Sequence, residues 1–207
     1  MTSRSLEIEN LHLWRGDRHV LRGVHFVLGE GQCLKLTGPN GSGKTSLLRT
    51  IAGLMYPEEG RVRWGGQNVR DDLRSFHGSM AYLAHEPPLK ADLTAGENLH
   101  FWIGTRHRLT AAMVAGALAR VGAGALAHRH VRTLSAGQRR RVALAGLALA
   151  AVPLWLLDEP ATNLDAEGQQ LVAGLIGEQI ARGGLAVAAV HHEMNVAGSV
   201  LELALQA

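Results

Sequence analysis

The sequence predicts an α/β domain with a mostly parallel central sheet, an antiparallel β subdomain and a helical subdomain. Three observations predict it. The apolar, strand-like residues 34–37 run straight into the glycine-rich segment GPNGSGKT at 38–45, and a helical pattern follows. Residues 154–157 and 185–190 are short apolar runs separated by a helical stretch around 169–181, the alternation of a parallel sheet. Residues 6–37 instead alternate apolar and polar, with turns at Gly16 and at 29–31, as strands before the loop do when part of the sheet is antiparallel.

The elements follow in order. After Lys44, a helix carries Leu47, Leu48 and Ile51 on one side and is expected to stop near Gly53 and Pro57. Residues 60–83 read as two or three further strands, with Gly65 and Gly66 as a turn. From Thr94 the pattern becomes helical: Thr94 to Glu97 has capping-box form, and a second start at Thr110 opens an alanine-rich helix to about Val121. Another helix opens at the LSAGQ segment beginning with Leu134. The apolar run 142–157 is broken by Pro153 and closed by Asp158 and Glu159, so it reads as a buried helix followed by a buried strand. It is shorter than the ~20 residues that a membrane span needs. The expectation is one domain over residues 1–207, with the helical subdomain at about 94–145.

Composition narrows the function classes. The single cysteine, Cys33, lies in the strand before the loop, so it can form no internal disulfide and reads as a small core residue suited to a reducing compartment. No apolar secretory core precedes the first strand. The net charge of +3 is spread along the chain, aromatic residues are 4%, and no RNA-binding or helix-turn-helix signature is visible, so nucleic acid is not an expected partner. The eleven histidines are scattered and form no C-x-x-C-H site, which makes them surface or structural residues except at His191.

Segment 38–45 has the form G-x-x-x-x-G-K-[ST], in which glycines let backbone N–H groups converge on phosphate oxygens at a helix start. In a chain with 25 glycines, a plain turn could look similar, but only Lys35, Lys44 and Lys90 are lysines, so a lysine at the required place is informative. The predicted nucleotide cradle is Gly38, Pro39, Asn40, Gly41, Ser42, Gly43, Lys44, Thr45 and Ser46, with Lys44 on the outer phosphates and Thr45 supplying a hydroxyl to Mg²⁺. Residues 153–159 form an apolar strand ending in two carboxylates. Asp158 is the candidate metal ligand, and Glu159 the candidate base for the attacking water. Ser135 and Gln138 form an S-x-x-Q capping pair; the same helix start also offers a hydroxyl, the Gly137 N–H and a positive dipole end to a phosphate.

In its order (phosphate loop, helical insert with LSAGQ, LLDEP, then Asn163-Leu164-Asp165 and a strand ending at His191) the chain resembles the ABC transporter ATPase family over nearly its whole length. The resemblance implies a P-loop NTPase that binds ATP and Mg²⁺ and works as a head-to-tail pair. A second subunit, expected to be a second copy of this chain, would then receive Ser135, Gly137 and Gln138 in trans, with Asp165 bridging the two. His191 would contact the γ-phosphate and orient Glu159; since neighbours on a strand point to opposite faces, His191 and His192 cannot both do so. Where the family usually stacks an aromatic on adenine, this chain has Arg15 with Trp14 beside it. Where it usually has glutamine, the chain reads His85-Glu86-Pro87, which makes Glu86 a third candidate Mg²⁺ ligand and implies slow or strongly Mg²⁺-dependent hydrolysis.

Within the family the chain looks most like the ATPase subunits of haem export complexes in cytochrome c maturation. The residues carrying that likeness are Arg15, the His85-x-Pro87 segment to Lys90, Leu93-Thr94, Glu97-Asn98-Leu99, and LSAGQ running into Arg140-Arg141-Val142. That likeness implies a peripheral protein on the cytoplasmic face of the inner membrane, docked on integral membrane subunits without inserting into lipid itself. Another small ABC exporter, or a nucleotide-gated clamp with little turnover, would use the same motifs.

Overall fold

The computed structural model describes residues 4–191 and 194–206. Two sheets organise it. In the first, β1 (Leu6–Arg15) lies between β2 (Arg18–Leu28) and β4 (Glu59–Trp64), and β5 (Gln67–Asn68) completes the antiparallel order β2-β1-β4-β5. Alternation makes this sheet one-sided: Leu6, Ile8, Leu11 and Leu13 turn inward, while Glu7, His12 and Trp14 lie on the opposite, more open side.

In the second sheet, β3 (Gln32–Thr37), β6 (Met80–Leu83), β7 (Leu154–Asp158), β8 (Leu185–Ala189) and β9 (Ser199–Ala204) run parallel in the order β6-β7-β8-β3-β9. Its inner strands are covered on both faces, which is why they read as unbroken apolar runs. Along β7, Leu154 and Leu156 pack with α1 (Lys44–Ile51) and the antiparallel sheet. Trp155 and Leu157 pack on the opposite side, among α5 (Ala136–Leu149) and α6 (Ala166–Ala181). Each such large apolar side chain contributes about 1.5–3 kcal/mol on burial. Cys33 belongs to this second core and is fully buried; burial pushes its thiol up to about 12, with the Lys35 charge opposing.

The helical insert consists of α3 (Ala95–Ile103), α4 (Ala111–Arg120), two short 3₁₀ turns and α5. The predicted helix starts at Thr94 and Thr110 are capped: Thr94 and Glu97 form a reciprocal capping box, and the Thr110 hydroxyl accepts from the Met113 N–H at 3.2 Å. Gly146 lets α5 approach α3, since a Cβ there would come within 2.5 Å of the Trp102 ring.

Three elements differ from the sequence expectation. Within 60–83 the chain forms strands but also a short helix, α2 (Leu73–Gly78), because the Asp72 side chain accepts from the Ser75 N–H at 2.9 Å. The helix expected around 169–181 starts at Ala166, capped by Asp165. An additional edge strand, β9, pairs with β3.

Candidate nucleotide site

The site forms where β3, β7 and β8 end on the same edge of the parallel sheet. β3 delivers the chain into loop 38–43, which turns through Gly38, Gly41 and Gly43 at φ 131°, 77° and 100°. Two of these glycines are also sterically required. A Cβ on Gly38 would stand 2.3 Å from the Leu205 carbonyl oxygen, and one on Gly43 would stand 2.8 Å from Val20. The loop is therefore clamped between β2 and the C-terminal segment, with its N–H groups leading into α1. Lys44 is buried and folds back over the loop, donating to the Gly38 and Pro39 carbonyls at 2.6 and 2.9 Å. The Ser42 hydroxyl is buried without a partner.

β7 delivers the two carboxylates. Asp158 is 1% exposed, and its Oδ1 accepts from the Thr45 hydroxyl at 3.0 Å. Its Oδ2 is buried and has no hydrogen-bond partner. Burial raises the Asp158 carboxyl above its ordinary range, the Thr45 bond opposes this, and the neighbouring Glu159 charge adds to it. A buried carboxylate oxygen without a donor, beside a threonine hydroxyl, fits a hard divalent cation such as Mg²⁺. The donor set on this strand end is thus chemically suited to the metal.

Glu159 adopts φ 50°, a left-handed conformation costly for a residue with a Cβ. Its Oε1 lies 2.5 Å from His191 Nε2; its Oε2 accepts from the Thr162 hydroxyl at 3.1 Å and lies 3.3 Å from His85 Nδ1. Burial alone would raise this carboxyl, but the His191 bond and charge, the Thr162 bond and the His85 charge together hold it below the usual glutamate value. An ionised glutamate at the mouth of a phosphate cradle can accept a proton from water.

A cleft of about 1950 Å³ joins these parts and is lined by Arg15, Lys44, Thr45, His85, Glu159 and His191, among others. Trp14 is not among its lining residues: its ring stacks on His19 at 3.7 Å, on the other side of β1. Glu86 is exposed and outside the lining, because the preceding residue, His85, is the one turned inward toward Glu159. Ser135, Gly137 and Gln138 are not in the lining either. They form the capped start of α5, where Ser135 and Gln138 exchange backbone bonds of 3.0 and 3.2 Å. Asp165 caps α6 through the Gly168 N–H at 2.9 Å and lies 3.2 Å from Arg141. His192 lies outside the described residues.

Several site residues carried no sequence signal that the motifs could supply. His85 and Thr162 reach Glu159 only through the fold, and Arg18 donates to the Gly41 carbonyl of the phosphate loop at 3.0 Å. Arg140 sits on the apolar stripe of α5 with Leu144 and Leu147, a spacing that marks it as inward-facing.

Fold and site together define an ATP-hydrolysing domain, and the profile of the ABC transporter family matches residues 21–162. The chain belongs to the ABC transporter family, as its ATPase component. It is 44% identical over 206 residues to the cytochrome c biogenesis ATP-binding export protein CcmA of Methylococcus capsulatus, covering 99% of this chain and all of that one. It is 42% identical to CcmA 2 of Cupriavidus metallidurans, covering 100% and 99% of the two chains. Among solved structures, an ATP-binding subunit of an ABC transporter superposes with a TM-score of 0.79 at 26% identity, over 89% of this chain and 79% of that one. A bacterial Atm1-family exporter with ATP bound gives 0.85 at 23% identity, over 98% of this chain and 38% of that one, and so shares the fold.

Proposed function

We propose that this chain hydrolyses Mg²⁺-ATP as one half of a head-to-tail homodimer, mounted on membrane subunits that handle haem during cytochrome c maturation. The observation that carries the dimer reading is a division of parts. The cleft is lined by phosphate-loop residues, Glu159 and His191, with Asp158 buried behind its lining residue Thr45, but the LSAGQ helix start lies outside it. If that helix start binds phosphate, it must do so on another copy. Its features favour such use: an exposed Ser135 and a positive dipole end with no acidic residue in the first turn.

In this reading, Lys44 leaves the Gly38 and Pro39 carbonyls to meet the outer phosphates, and the loop N–H groups hold them. Thr45 and Asp158 would hold Mg²⁺, which when bound would supply positive charge against the phosphates. Glu159 accepts the proton of the attacking water, with His191 and Thr162 fixing its two oxygens in place. Arg15 lies along the cleft wall and offers a guanidinium face to the base, so base selectivity is expected to be loose. Glu86 enters the metal set only if loop 84–90 turns. Glu86→Gln is therefore expected to leave the rate and its Mg²⁺ dependence within about twofold.

The haem assignment rests on the relatives named for cytochrome c biogenesis. No helix among the described residues is long and apolar enough to cross a membrane, so membrane work would fall to partner subunits. Segment 86–97, flanked by the exposed Phe101 with Lys90 over its ring at 4.6 Å, is the proposed contact with them. Glu159→Gln tests the catalytic reading. Phosphate release by the purified complex should fall about 10²–10⁴-fold while ATP binding persists. Equal release by variant and parent would remove Glu159 from this role. Affinity capture from solubilised native membranes tests the pathway: recovery of haem-handling membrane subunits supports it, and recovery of an unrelated permease leaves the ATPase with another cargo.

A further inference from the structure

Arg140 is a fully charged side chain on the second turn of α5, only 2% exposed. All three of its hydrogen bonds go to backbone carbonyls: Nη1 donates to Ala84 at 3.0 Å, and Nη2 donates to His85 at 3.0 Å and to Glu159 at 2.9 Å. A buried guanidinium is costly unless its donors find acceptors, and here three of its five N–H groups find them on two segments that the sheet has just released. The last β6–β7 rung is Leu83 with Leu157. Beyond it the two chains part, and Arg140 spans the gap between them.

Glu159 shows why that matters. Its N–H donates to the Ala189 carbonyl at 3.1 Å, so β8 holds one side of its peptide and Arg140 holds the other. Between these two anchors the residue keeps φ 50°, a conformation that relaxes unless the surroundings enforce it. The same guanidinium holds the carbonyl of His85, whose ring lies against Glu159 Oε2.

We propose that Arg140 is a positioning residue for hydrolysis: from α5 it fixes the backbone of Glu159 and the loop carrying His85, so that the carboxylate is aimed correctly only when α5 is seated. Because α5 begins with the LSAGQ segment, the helix expected to meet the other subunit's nucleotide is physically tied to the base that acts on its own. The proposal rests on the assignment of Glu159 made above.

The test compares Arg140→Met, Arg140→Lys, Glu159→Gln and the Arg140→Lys/Glu159→Gln double variant in the full chain, each checked for folding by thermal melt. The readouts are kcat and the affinity for a fluorescent ATP analogue. Arg140→Met should lower kcat about 100-fold, the scale of a misplaced catalytic group, with affinity within about twofold. Arg140→Lys, whose ammonium can satisfy only part of the carbonyl set, should recover about tenfold of that loss. In the Glu159→Gln background, Arg140→Lys should cause no further loss of residual turnover. A folded Arg140→Met with parental kcat overturns the proposal, as does a kcat loss matched by an equal loss of affinity, or one that persists undiminished without Glu159. If Arg140→Met does not fold, Arg140→Lys alone decides, and parental kcat in that variant is the overturning result. Parental turnover in Glu159→Gln would end the assignment of Glu159 and this proposal with it, and that outcome is recognisable because Arg140 is untouched.

Discussion

The chain contains two glycine-bearing helix starts suited to phosphate, and they are built differently. At α1, loop 38–43 is held between β2 and residue 205, a buried lysine lies across it, and a carboxylate pair stands at the end of β7, with Asp158 bonded to Thr45. At α5, the start is an ordinary capping box outside the cleft, and Gly137 packs so near the Asn163 carbonyl that a Cβ would come within 2.7 Å. The first is a chemically complete cradle. The second is a donor surface whose use depends on something brought to it. Under the proposed homodimer, the contrast is that one chain supplies the catalytic groups and its partner closes the site.

Substitutions at the two starts should therefore separate binding from turnover. The largest effect is expected at the first: Lys44→Ala should weaken ATP binding by the isolated chain about 100-fold, as loss of a charged donor to phosphate does, measured by equilibrium binding. Undiminished affinity would break the contrast. Gly137→Ala should leave that affinity unchanged and lower the kcat of the assembled complex about tenfold, since the added methyl pushes the α5 start off Asn163. A matching loss of affinity in the isolated chain would mean that the α5 start serves its own nucleotide. Ser135→Ala should lower stability by about 1 kcal/mol through loss of the cap, seen as a reduced denaturation midpoint, again with unchanged monomer affinity.

The effect that is smallest at neutral pH concerns the strand feeding the loop. Because the Cys33 thiol is pushed from 9.0 to about 12, its contribution to stability is fully present below pH 9 and is lost as pH rises toward 12. In that window the unfolded chain releases a proton that the native one keeps, lowering stability by up to about 1.4 kcal/mol per pH unit. Thiol-reagent labelling at pH 8 should accordingly be negligible in the native state and complete after unfolding.

Much of this was legible in the sequence because the chemistry demands particular residues at fixed spacing. Lys44 with its glycines, the Asp158-Glu159 strand end and the capping pairs at Thr94 and Ser135 all stand where the motifs put them. What could not be read depends on non-local approach. His85 and Glu159 are far apart in sequence and meet only because β6 and β7 are neighbours in the sheet. The sequence sets Arg15 in the base-stacking position with Trp14 beside it, and strand alternation turns Trp14 onto His19 and leaves Arg15 on the cleft. The β9 strand escaped notice because it is a mostly exposed edge without a clean apolar face. The short helix α2 has one local signal, Asp72 as an N-cap residue, and at six residues it is too short to show a helical period.

In the proposed homodimer the α5 start of one copy closes over the phosphate loop of another. Its most direct test is disulfide cross-linking of an Asn40→Cys/Ser135→Cys chain in the Glu159→Gln background, in the assembled complex. The native Cys33 is fully buried and will not compete. The account predicts an intermolecular cross-link that forms with Mg²⁺-ATP and not with ADP or without nucleotide; no cross-link with ATP, or one indifferent to nucleotide, would contradict it.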